Sequence, residues 1–418
     1  MQQAEQMIKE AEARVRGCFA DLEETEFFNS KKVLKAFQKF NINEAHFAPT
    51  TGYGYDDLGR DTLESVYAEI FGAEDAIVRH TITCGTHALS MVLFGLLLPG
   101  DTLLAVTGKP YDTLEDAIGI RGETPAAGSL KEMGVSYAQA DLLPDGTPDY
   151  ETIEKLLAEK KPKVVMMQRS KGYAFRKSLD MAETEKLISF IKARAKDCYV
   201  FVDNCYGEFV EKTEPTQHGA DVIAGSLIKN AGGGLAPTGG YIVGTHKAIE
   251  RIAARLTSPG LGKECGPSLG VAKSLYQGLF MAPSVVCSAL KTAVLTADIF
   301  KHLGFSVCPE PNEKRTDIIQ AVRLESEERL IAFCQGIQKG SPIDSAVVPE
   351  PWPMPGYAHR VIMAAGAFTQ GSSIELSADG PIKEPFIAYL QGGLTYAYGK
   401  LGILSAISFL IEKNLLKK

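Results

Sequence analysis

The sequence predicts an α/β fold with a mostly parallel sheet, followed by a smaller α+β domain, and three observations carry that reading. Short apolar runs recur at residues 101–106, 135–138, 163–167, 199–202 and 222–227. Helix-patterned segments such as 150–159 and 181–195 separate several of them, and that alternation is typical of a parallel sheet with helices on both faces. Beyond Gly304 the character changes, with strand candidates at 318–324, 360–364 and 373–376 beside helical stretches near 325–338 and 384–413.

Taken in order, residues 4–22 place apolar side chains at helix spacing, and Asn29-Ser30 can cap a second helix through Phe40. After a loop rich in glycine and tyrosine at 51–59, Asp61 opens a helix with Leu63, Val66, Tyr67 and Ile70 on one side. The small-residue turn Thr83-Cys84-Gly85-Thr86-His87-Ala88 opens an apolar helix running to Leu97. Residues 239–244 read as one more strand, and long helical patterns run from Lys247 to about His302. The expected division is an N-terminal helical arm at 1–46, a large domain at 47–302 and a small C-terminal domain at 303–418. The proline-rich loop 349–355 is too short for a linker and is expected to cover what lies beneath it.

Composition narrows the class. A chain of 418 residues that is 45% hydrophobic and 23% charged can bury a large core. A net charge of −7 without any basic block leaves no footprint for nucleic acid. The eight cysteines are scattered without metal-ligand or C-x-x-C spacing, so reduced thiols and no metal are expected. The first 16 residues are charged and helix-forming rather than apolar, and the apolar tail 401–411 is too short for a bilayer. A cytoplasmic protein without a membrane partner is the expectation.

Four places carry chemistry. Asp203 follows the apolar run Tyr199-Val200-Phe201-Val202, at the carboxyl end of a strand where open α/β sheets put ligand groups; a plain helix or turn cap is the ordinary alternative. Lys229 ends the run that begins at Val222 and precedes Gly232-Gly233-Gly234. A lysine closing an apolar run needs a reason, and one in a desolvated, cationic site becomes a Schiff-base nucleophile. Ser226, Gly85 and Thr86 can bind a phosphate, the last two through the amides of a helix N-terminus. His87 reads equally as a core or a site residue. Tyr111, after the strand ending at Val106, can stack on a flat ring and exchange a proton, or be an ordinary loop tyrosine. A lysine paired with a strand-end aspartate suggests pyridoxal 5'-phosphate, whose ring nitrogen needs a carboxylate.

This set, Gly85-Thr86, Tyr111, Asp203 and Ser226-x-x-Lys229, resembles the fold type I pyridoxal-phosphate enzymes of the cystathionine β-lyase and methionine γ-lyase group. The strings Gly52-Tyr53-Gly54-Tyr55-Asp56-Asp57-Leu58-Gly59-Arg60, Val202-Asp203-Asn204-Cys205-Tyr206-Gly207-Glu208-Phe209 and Gln370-Gly371-Ser372-Ser373-Ile374-Glu375-Leu376-Ser377-Ala378-Asp379-Gly380-Pro381 are similar to its aluminium-resistance branch. The resemblance implies an aspartate-aminotransferase-like fold with a seven-stranded sheet and covers residues 47–413. It implies Lys229 as the Schiff-base lysine, Asp203 on the pyridinium nitrogen, Gly85, Thr86 and Ser226 on the phosphate, and Tyr111 over the ring. A neighbouring subunit would add Tyr53, Tyr55 or Arg60, although the family's Tyr-x-Arg spacing is absent, and a homodimer or homotetramer follows. Where the family places an asparagine near the phenolic oxygen this chain reads Gln168-Arg169-Ser170-Lys171-Gly172-Tyr173, which leaves Tyr173 or Arg169 for that task. Glu375 stands where relatives have an arginine for the substrate carboxylate and would repel it, so Arg360, Arg176 and Lys383 are the alternatives.

The reaction implied is elimination of a thiol from a sulfur-containing amino acid, giving 2-oxo acid and ammonia, with departure from Cβ or Cγ both open. An aminotransferase or decarboxylase of the same fold is the nearest competitor. A phosphate-binding regulatory module around Gly232-Gly233-Gly234 lacks a supporting motif, and a silent protein keeping only fold and cofactor is a third reading.

Overall fold

The computed structural model describes residues 1–354 and 357–416. Position 355 of the proline-rich loop and the last two positions of the expected C-terminal domain lie outside the described residues. The chain opens with α1 (Gln2–Arg14) and α2 (Arg16–Lys39), which meet at Val15. The expected helix break at Asn29 does not occur. Asn29 lies mid-helix and buried, and its amide donates to the carbonyls of Phe209 at 3.0 Å and Glu211 at 3.1 Å. Its polar side chain therefore ties α2 to the segment after Asp203 instead of capping a helix. The next helix, α3 (Leu58–Phe71), starts before Asp61, because Asp57 is the cap and accepts from the Arg60 amide at 2.9 Å.

The large sheet is built from β1 (Asp75–Arg79), β2 (Thr102–Ala105), β3 (Ser136–Gln139), β4 (Val164–Gln168), β5 (Tyr199–Asp203), β6 (Val222–Ser226) and β7 (Gly240–Gly244). Its spatial order is β1-β7-β6-β5-β4-β2-β3, parallel from β3 to β6, with β7 antiparallel to both neighbours. Strands buried on both faces read as unbroken apolar runs, and β4, β5 and β6 are buried throughout. The seventh strand, β1, escapes the run search because charged residues end it; Arg79 is nevertheless buried, paired with the buried Glu64.

Helices cover both faces: α4 (Gly85–Leu96), α5 (Asp112–Ile118) and α8 (His246–Ala253) help close one apolar layer, while α2, α3, α7 (Met181–Arg194) and the long α9 (Ala272–His302) close the other; α6 (Tyr150–Lys160) lies between β3 and β4 in the chain. By length and composition α9 could cross a membrane, yet most of it is buried in the protein core. The patterned stretch 247–302 is thus two helices, with residues 254–271 between them.

The second sheet, order β10-β11-β12-β9-β8, is wholly antiparallel: β8 (Ser306–Cys308), β9 (Gln320–Arg323), β10 (Val361–Ala364), β11 (Ser377–Pro381) and β12 (Ile387–Gln391). α10 (Glu327–Lys339), α11 (Tyr396–Glu412) and α1 pack on it. Two expectations fail here. Residues 384–413 are a strand and a helix rather than one helix, because Ile387–Gln391 is buried between β9 and β11 and Gly392 and Gly393, at φ +87° and +135°, turn the chain before α11. Residues 373–376 form a turn that precedes β11 rather than a strand. The proline-rich loop does cover something: Trp352 pairs with Val361 along the edge of β10.

Candidate active site

The carboxyl ends of β4, β5 and β6 open into a cavity of about 270 Å3 that the second sheet closes from the other side. Three strand-end residues stand there, Gln168, Asp203 and Ser226. Gln168 is directly beside Asp203 in the parallel register. This is the edge at which open α/β sheets bind ligands.

Lys229 follows β6 and lines the cavity, with its Nζ 4.2 Å from the centre of the Tyr206 ring. Burial pushes its ammonium towards lower pKa, but Cys205, Tyr206 and Asp203 outweigh that and the net shift is upward. The expected cationic surroundings are therefore absent, and an acidic neighbourhood holds the lysine instead. Asp203 is buried, which raises its carboxyl, while the Cys205 amide donates to its Oδ1 at 3.1 Å and Lys229 counters the rise. Tyr206 is held at φ +72°, a left-handed conformation unusual for a bulky residue, and that turn brings its ring against Lys229.

The opposite rim is the start of α4. Cys84 caps this helix, its Sγ accepting from the His87 amide at 3.4 Å. Gly85 lies so close to β6 that an added Cβ would come within 3.2 Å of the Ser226 Cβ. Thr86 shares a hydrogen bond with Thr113 at 2.7 Å. His87 is neither in the core nor in the cavity lining; its ring receives the Thr83 amide at 3.2 Å. Tyr111 precedes α5 and meets Tyr357 hydroxyl to hydroxyl at 2.8 Å. Burial, with Tyr357 next, raises its phenol well above the ordinary value, so it stays protonated.

The structure thus brings Gly85, Thr86, Tyr111, Asp203, Ser226 and Lys229 to one cavity. Tyr173 joins them. Arg169 does not: it is fully buried, giving its guanidinium to Glu211 at 2.9 Å and to Asn204 at 2.8 Å. Gln168 stands in the cavity wall instead, and its Oε1 is buried with no partner among the described residues. Arg60 is also occupied elsewhere, donating to the carbonyls of Gly54 at 2.6 Å and Gly266 at 2.9 Å. Tyr53 and Tyr55 are exposed and stacked on each other, 5.4 Å between centres, outside this cavity.

None of the three cations expected for a substrate carboxylate lines the cavity. Arg360 is on the surface paired with Glu327 at 3.4 Å, Arg176 donates to the carbonyls of Lys177 and Ser170, and Lys383 borders an adjoining groove. Glu375 is likewise not among the residues that line the cavity; its two oxygens accept from the amides of Phe368 and Thr369 at 2.7 and 2.8 Å. Sequence reasoning missed Gln168, Tyr206, Tyr357, Asp379 and Gln391. Gln168 carried a signal, since it ends its strand as Asp203 does; the others depend on contacts between the two sheets.

Residues 4–411 match the family model of methionine gamma-lyase. The chain belongs to that family. The family is one of carbon–sulfur lyases, and the chain is an enzyme of that group. The Bacillus subtilis (strain 168) protein YnbB is 53% identical over 407 residues, 97% of this chain and 96% of its own length. A crystal structure named as the carbon–sulfur lyase involved in aluminium resistance from Clostridium novyi NT superposes with a TM-score of 0.94 at 52% identity, covering 98% of this chain and 96% of that one. At 18% identity the likeness is of fold alone: Escherichia coli YhfS, described as pyridoxal-5'-phosphate dependent, superposes with a TM-score of 0.59 over 93% of this chain and 97% of that one. The fold is that of the type I pyridoxal-phosphate enzymes.

The cavity residues suit such a group. A lysine, a strand-end carboxylate, a serine hydroxyl and a glycine-opened helix N-terminus converge without any histidine or cysteine cluster that could hold a metal among the described residues.

Proposed function

We propose that the protein binds pyridoxal 5'-phosphate and eliminates a thiol from a sulfur-containing amino acid, releasing 2-oxo acid and ammonia. One observation carries this reading: Lys229 and Asp203 share a cavity whose other rim, Gly85, Thr86 and Ser226, is suited to a phosphate. When bound, the cofactor supplies an electron sink for negative charge at the substrate Cα. Asp203 would hold the cofactor's protonated ring nitrogen, a positive charge of the kind that a buried carboxylate needs to stay ionised. Lys229 would hold the cofactor, and its amine would serve as the base that takes the substrate Cα proton. Tyr111, kept protonated beside Tyr357, would face the cofactor and supply a proton to the departing sulfur. With water consumed, the products balance as one thiol, one 2-oxo acid and one ammonium.

The stacked, exposed Tyr53 and Tyr55 support a homodimer, alone or paired into a homotetramer, in which this loop completes a neighbouring site. All eight cysteines are free, which supports a cytoplasmic setting. The deciding assay incubates the purified protein with thioether amino acids and no amino acceptor. Thiol and 2-oxo acid should appear in equal amounts. Oxo acid formed only when an amino acceptor is added would replace the lyase reading with an aminotransferase.

A further inference from the structure

The wall of the cavity supplied by the second sheet holds a carboxyl group that the reaction above leaves without a task. Ser377 and Asp379 are two residues apart on β11 and so share a face. Gln391 is directly opposite Ser377 on β12, and Met363 on β10 is opposite Asp379. All four line the cavity. Asp379 is 7% exposed and weakly held: Gln391 Nε2 is 3.5 Å from its Oδ2, the Tyr173 hydroxyl donates to it, and its Oδ1 has no partner among the described residues. A buried carboxyl this poorly satisfied is costly unless a ligand completes it.

The charges of the lining indicate which ligand. Among the described residues that line the cavity Lys229 is the one cation, and the carboxyls are Asp203 and Asp379. The substrate α-amino group would meet the cofactor held by Lys229, and Asp379 in its ionised form repels the α-carboxylate. What remains to face Asp379 is the part of the substrate that departs with sulfur. Burial raises the Asp379 carboxyl to about 7, so it ionises readily near neutrality when a cation approaches.

We propose that Asp379 is a specificity residue whose carboxylate binds an ammonium on the leaving thiol, so that the preferred substrates are thioether amino acids that release an aminothiol. Which part of the substrate faces Asp379 rests on the lyase reading; the preference of this carboxylate for a cation does not.

The test compares S-(2-aminoethyl)-L-cysteine with its uncharged isostere S-propyl-L-cysteine. For the wild-type holoenzyme, kcat/KM should favour the amine by about ten- to a hundredfold, as expected for a hydrogen bond between charged groups. Asp379→Asn should lower the amine's kcat/KM more than that of the propyl compound and bring the ratio near one. Asp379→Ser serves as a second variant should the asparagine chain not fold. Calorimetric binding to Lys229→Ala, which cannot turn over, reads the same preference without the reaction. If that variant prefers the amine and Lys229→Ala/Asp379→Asn does not, Asp379 keeps its assignment even where no thiol is released. Equal affinity for the two compounds in Lys229→Ala, or a ratio that Asp379→Asn leaves unchanged, overturns the proposal.

Discussion

The two walls of the cavity are made by different means. The large sheet contributes single residues at the ends of parallel strands, Gln168, Asp203 and Ser226, with Lys229 just beyond. The antiparallel sheet contributes residues that meet only through cross-strand register, as Ser377 meets Gln391 and Asp379 meets Met363. In the proposed reaction the first wall supplies the groups that any substrate needs, and the second supplies the groups proposed to distinguish one substrate from another.

Substitutions can break or sharpen this contrast. Lys229→Ala should have the largest effect, about a thousandfold or greater loss of kcat for every substrate, since one residue provides both the covalent attachment and the base. Steady-state rates on two or more thioether substrates check it, and a loss confined to one of them would break the contrast. Asp203→Ala should follow, with roughly a hundred- to a thousandfold loss of kcat while cofactor absorbance is retained. Near-normal turnover in the fully loaded variant would make this carboxylate a structural cap.

Behind the first wall, Arg169 braces the turn that carries Asn204 and Tyr206, and an added Cβ at Gly207 would come within 2.4 Å of its Nη1. Arg169→Met should take this buried partner from the Asn204 Oδ1 and from Glu211, which keeps Lys314 at 2.6 Å, and lower stability by about 1–3 kcal/mol. Thermal or denaturant unfolding reads it; an unchanged midpoint would show that the network is not needed.

The smallest effect concerns pH. Burial pushes the Glu208 carboxyl up to about 8, although the Tyr241 hydroxyl donates to its Oε1 at 2.6 Å. The folded chain then holds a proton that the unfolded chain has released above about 4.5, so stability falls as pH rises from the ordinary carboxylate range towards 8 and the loss is complete above it. Glu208→Gln mimics the protonated form. Its melting temperature should match the wild type near pH 5 and exceed it by a few degrees at pH 9. The same difference at both values would contradict the assignment.

Much of the first wall was legible in the sequence because its signals are local. Asp203 and Lys229 end apolar runs, and Gly85-Thr86 opens an apolar helix. Gln168 obeys the same rule with no charge to mark it. Ser226 and Tyr111 are legible in the same way, the first standing in the run that leads to Lys229 and the second following a strand end, and the resemblance supports both. The second wall is not legible: Ile387-Ala388-Tyr389-Leu390 has no period that separates strand from helix, so β12 reads as helix in sequence. Once a strand is missed, the cross-strand neighbours of Asp379 cannot be found. The arginines failed for a related reason. Arg60, Arg169 and Arg360 each resemble a site cation in sequence, and only the fold shows that the first two are bonded to carbonyls or carboxylates within it and that the third is outside.

The central claim is that Lys229 carries the cofactor, and borohydride reduction followed by peptide mapping tests it most directly. Protein loaded with pyridoxal 5'-phosphate should be yellow, and reduction should fix one cofactor per chain on the peptide containing residues 226–234. Label on Lys109 or Lys171, or no covalent label on a protein that still releases thiol, would contradict the account.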